Sequence, residues 1–158
     1  MSRTLTADDA RQALTGHLTA KGDAIFAKYG PTIGWSELER ILVDRSFVRY
    51  PCAVVFAAEP LQPGEFAHPV PRGEQAQDGF DLYVHPAFES QRDRVPYLVL
   101  YQLVVVNYGD LASPDDAETF GAAALGLTKQ AYYEAVCCLA DEVTACDSEA
   151  PSPGLRPS

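Results

Sequence analysis

In the segment Phe80-Asp81-Leu82-Tyr83-Val84-His85, apolar and polar residues alternate with the two-residue period of a half-buried strand. Phe80, Leu82 and Val84 would face a core, leaving Asp81, Tyr83 and His85 on the opposite face, where a carboxylate, a phenol and an imidazole could line a cleft. Of these, the imidazole is best suited to general acid/base work near neutral pH. Other reactive residues are scattered. His68 and His85 each precede a proline and so sit in extended backbone; with Cys52 they make a metal set only if their strands adjoin. His17 falls on the flank of a helical stripe. Cys52, Cys137, Cys138 and Cys146 lack a C-x-x-C spacing, and adjacent helical positions point about 100° apart, so reduced thiols packed as small apolar groups are expected. The sequence contains no glycine-rich phosphate loop, G-x-S-x-G elbow or Cys/His nucleophile pattern.

Charge narrows the partners. Against 22 Asp plus Glu stand 12 Lys plus Arg, a net charge of -10 that repels phosphate backbones and anionic lipid, so neither nucleic acid nor membrane is expected. Asp8 and Asp9, with no apolar run behind Arg3, argue against a secretory signal. The greasiest stretch, Tyr97 to Val106, contains Gln102 and falls short of the ~20 residues that cross a bilayer. An acidic cytoplasmic protein without a cofactor or metal is the expectation.

Thr6 caps a helix to about Lys28, with Leu14, Leu18, Ile25 and Tyr29 on its inner stripe and Gly16 and Gly22 weakening it. After the break at Gly30-Pro31, Ser36 and Glu39 form a capping box for a short helix that buries Leu38, Ile41 and Leu42. Strands are expected at Ala53 to Ala57, Glu65 to Val70 and Phe80 to His85, with Pro69 keeping the second at an edge. Asp93 and Pro96 open a buried helix over Tyr97 to Tyr108 that stops at Gly109. Ser113 and Thr128 cap two more helices, the last with Tyr132, Val136, Leu139 and Val143 as its stripe. The fold class is α+β: a small, mostly antiparallel sheet against about five helices, in one domain over residues 1–146, with a flexible Pro/Ser-rich tail at 147–158.

The order of polar-faced strand, short loop, buried helix and a helix beginning Ala117-Glu118-Thr119-Phe120 resembles the zincin-like metallopeptidases, in particular compact gluzincin-like proteins, over about Phe80 to Leu127. In that family an H-E-x-x-H helix supplies two zinc ligands and a glutamate base. The resemblance puts Tyr101, Gln102, Leu103, Val104 and Val105 at those positions, so every chemical group is replaced. Valine cannot ligate zinc and glutamine cannot take a proton from bound water. The third ligand position falls on Pro114, and Glu118 reaches it only by a shift of register.

The resemblance therefore implies a non-catalytic domain that binds a peptide or protein partner in a former substrate cleft lined by Asp81, Tyr83, His85, Tyr101, Gln102, Val105 and Glu118. Two alternatives use the same residues differently. One is a metal-independent enzyme with His85 as acid/base, assisted by Tyr101 or Glu118. The other is a structural homo-oligomer joined through the tyrosine stripe or Cys137 and Cys138.

Overall fold

The computed structural model describes residues 6–149. Helix α1 spans Ala7–Tyr29, α2 Trp35–Leu42, α3 Val95–Tyr108, α4 Pro114–Leu125 and α5 Lys129–Glu149; strands β1 (Cys52–Phe56), β2 (Ala67–Pro71) and β3 (Phe80–Val84) form one sheet. The class is α+β. Helix α5 runs on to Glu149, and residues 150–158 of the expected tail lie outside the described residues.

Local side-chain chemistry sets several boundaries. Thr6 accepts from the Asp9 N–H at 3.1 Å while Asp9 accepts from the Thr6 N–H, a closed capping box. Ser113 and Asp116 form the same box at α4, and Thr128 accepts from the Ala131 N–H at 3.0 Å at α5. At α2 the expectation shifts by two residues. Gly34 is the cap, with its N–H donated to Glu37, so the Ser36/Glu39 pair is not the box. Asp93 does not cap its own helix either: it accepts from the Trp35 N–H at 3.3 Å and so serves the start of α2.

The sheet order is β1-β3-β2, with β2 antiparallel and β1 parallel to β3. This corrects the mostly antiparallel expectation. The chain leaving β1 passes to the far side of β3 before turning back, and turn residues show where strands end but not which strand becomes the neighbour. Pro69 and Pro71 sit on β2, an edge strand that tolerates missing donors.

Leu82 and Val84 of β3 are buried beneath α3, which packs on β2 and β3 with one side and on α4 with another. That placement explains a helix apolar almost all round, with Leu98, Val99, Leu100 and Leu103 fully enclosed. Helix α1 closes the other side through α4, and Gly22 makes the approach possible: a Cβ there would lie 2.5 Å from the Ala123 Cβ and 2.8 Å from the Phe120 carbonyl oxygen. Gly121 does the same between α4 and α5, where a Cβ would lie 2.3 Å from the Tyr132 ring, and the Tyr132 hydroxyl donates to the Tyr97 carbonyl. Among the described residues, no helix is long and apolar enough to cross a membrane.

Candidate functional site

The residues expected to form one cleft lie in three places. Asp81 and Tyr83 point away from α3, on the outer sheet face that also carries Val55, His68 and Val70 by strand register. There Asp81 accepts from Arg72 Nε at 3.0 Å, a half-exposed ion pair. His85 is buried just past β3, where its Nδ1 accepts the Ala87 N–H at 3.1 Å and caps the short turn Pro86–Phe88. It lines a concavity of about 300 Å³ with the segment 58–63, apart from Asp81 and Tyr83.

Tyr101, Gln102 and Val105 lie on α3. Gln102 is buried, whereas Val105 is 44% exposed. Tyr101 meets the edge of the Phe66 ring at 6.0 Å between centroids. Burial raises its phenol above the ordinary value, and the nearby Glu118, Cys137 and Tyr133 add to the rise. The charge of Glu118 thus reaches Tyr101, and Tyr133, which was not among the expected cleft residues, acts on the same phenol. Glu118 and Tyr133 line an open groove of about 490 Å³ between α4 and α5, where Lys129 is already paired with Asp115. Cys52 is kept inert, its thiol pushed up to about 11 by burial. Among the described residues, no three His, Cys, Asp or Glu side chains converge to hold a metal.

The clearest convergence of charge lies elsewhere. A pocket of about 210 Å³ opens between α1, α3 and the segment joining α2 to β1, and His17, Lys21, Arg45 and Arg49 line it with Tyr108 and Asn107. No carboxylate among the described residues lines it or pairs with Lys21, Arg45 or Arg49. Each cation instead spends one donor on a carbonyl: Lys21 on Ser46 at 2.9 Å, Arg45 on Arg49 at 3.3 Å, Arg49 on Asn107 at 3.4 Å. An ammonium has three donors and a guanidinium five, so most remain for a ligand. His17 Nε2 and the Tyr108 hydroxyl share a hydrogen bond of 2.7 Å, and the Arg49 guanidinium stacks 5.0 Å over the Tyr108 ring.

Two contacts build the Arg45–Arg49 segment. Asn107 donates from Nδ2 to the Phe47 carbonyl at 2.8 Å and accepts the Arg49 N–H at 3.0 Å, which clamps the backbone around Val48. Asp44, which does not line the pocket, has its carboxylate engaged by neighbours: Lys28 and Tyr29 each donate to Oδ2 at 2.7 Å, and the Ser46 N–H donates to Oδ1 at 3.0 Å. Lys28, foremost, and Tyr29 hold the Asp44 carboxyl well below the usual carboxylate range. The four-residue spacings His17/Lys21 and Arg45/Arg49 were the available signal, but only the fold shows that the two pairs meet.

Compared with known proteins, the chain matches no family model, no curated protein and no solved structure.

Proposed function

We propose that this chain is a non-catalytic binding domain that docks an acidic segment of a peptide or protein partner at the pocket of Lys21, Arg45 and Arg49. The observation that carries the reading is this concentration of unpaired cations, free of lining carboxylates among the described residues, in a chain of net charge -10. A positive pocket in a negative surround favours a short acidic segment and disfavours an extended polyanion, because fields are screened over a Debye length of about 8 to 10 Å. The lining supports a macromolecular partner. Phe47 and Phe120 line the pocket beside the cations, and apolar side chains next to charged ones suit a protein surface. A zincin-like ancestry for β3, α3 and α4 belongs to the same proposal as an account of the scaffold, while the binding rests on the pocket.

Fluorescence anisotropy with a labelled glutamate-rich peptide tests it. Saturable binding at low salt is expected, weakened by added salt and by roughly tenfold or more in Arg45→Gln. Absence of binding, or equal binding by Arg45→Gln, would overturn it.

A further inference from the structure

We infer that the acidic group the pocket selects is a phosphomonoester; this rests on the proposal that the pocket binds an acidic ligand. Charge is the first argument. Three cations line the site, and a single carboxylate leaves most of that charge unbalanced, whereas a phosphomonoester carries about -1.5 to -2 near neutral pH.

Geometry is the second argument. The donors approach from three sides: Lys21 from α1, Arg45 with Arg49 from the following segment, and the hydrogen-bonded pair of His17 and Tyr108 between α1 and α3. A carboxylate presents two oxygens in one plane, while a phosphomonoester presents three terminal oxygens in a tetrahedral fan that matches convergent donors. Arg49 is held for this task, because its stack on Tyr108 and its bond to the Asn107 carbonyl restrain the guanidinium before a ligand arrives. Burial raises the Tyr108 phenol above its ordinary value despite the opposing charge of Arg49, so its hydroxyl keeps its proton. Size is the third argument. About 210 Å³ accepts a compact phosphorylated group and excludes a duplex.

Isothermal titration with four probes tests the inference: a phosphoserine peptide, the same peptide with glutamate at that position, the same peptide with serine, and free O-phospho-L-serine. The phosphoserine peptide is expected to bind roughly tenfold or more tighter than the glutamate form, with no binding of the serine form. Arg45→Gln, whose exposed side chain makes one bond to a carbonyl, should abolish that preference without unfolding the chain, and Arg72→Gln on the outer sheet face should keep it. Free O-phospho-L-serine separates two sources of the same group. Affinity well below the phosphopeptide supports a protein side chain, and equal affinity supports a small phosphate ester while overturning the peptide partner. Equal binding of the phosphoserine and glutamate peptides would overturn the inference and leave the acidic-partner reading intact. Failure of every probe would overturn both.

Discussion

Asn107 holds Arg49 twice: its Oδ1 accepts the Arg49 backbone N–H at 3.0 Å, and its carbonyl accepts from the Arg49 guanidinium at 3.4 Å. With the Nδ2 bond to the Phe47 carbonyl, one buried amide fixes the segment that brings Arg45 and Arg49 to the pocket. Replacing it by alanine leaves a carbonyl and an N–H without these partners, at a cost of about 1 to 3 kcal/mol. Asn107→Ala should therefore lower the denaturation midpoint and weaken binding at the pocket together. An unchanged midpoint would show that the clamp carries no stability.

Helix α1 offers a paired test of packing. Nothing lies within 4 Å of a Cβ built on Gly16, whereas one on Gly22 meets the backbone of α4. Gly16→Ala should stabilise by about 0.5 to 1 kcal/mol through helix propensity. Gly22→Ala should destabilise by about 1 to 3 kcal/mol, because α1 must move off α4. Thermal melts of the two variants check the opposite signs.

Leu103 is fully buried where α3 sits between sheet and helices. Leu103→Ala removes core contacts and leaves a cavity, worth about 2 to 5 kcal/mol out of a typical total of about 5 to 15 kcal/mol. Urea denaturation should show a clearly lower midpoint at an unchanged slope.

Asp44 links stability to pH. Its folded carboxyl is depressed, chiefly by the hydrogen bond from Lys28 and then by that from Tyr29, so its stabilisation is full above the unfolded value of about 3.9 and fades as pH falls toward the depressed one. Asp44→Asn should melt below the parent at neutral pH, and the gap should narrow steadily as the pH falls below about 3.9. A gap that persists undiminished would mean that the charge of Asp44 is not what holds the segment.

Much of the fold was legible in local chemistry. Thr6, Ser113 and Thr128 cap the helices they were expected to cap, and Leu18, Ile25, Tyr132, Leu139 and Val143 are buried as their spacing required. Those signals work because both partners lie within one or two helical turns. The Ser36/Glu39 box and the cap role of Asp93 were misread because overlapping acidic residues offer more than one box, and because Asp93 caps a helix that lies far from it in the chain. The parallel β1–β3 pairing is likewise a property of the path between strands. For the site, alternation correctly turned Leu82 and Val84 toward the core and Asp81 and Tyr83 to the opposite face, but it does not extend to His85, which lies past the end of the strand and is buried as the cap of the next turn. The basic pocket escaped notice because its residues come from three segments whose charges are outnumbered along the chain.

Backbone amide shifts of the isotope-labelled full chain during titration with a glutamate-rich peptide test the central claim most directly. The account predicts saturable shifts centred on residues 45–49 and 107–108 and on the α1 turn of His17 and Lys21, lost in Arg45→Gln. Shifts centred instead on the groove of Glu118 and Tyr133, or on the outer face of Asp81 and Tyr83, would contradict it.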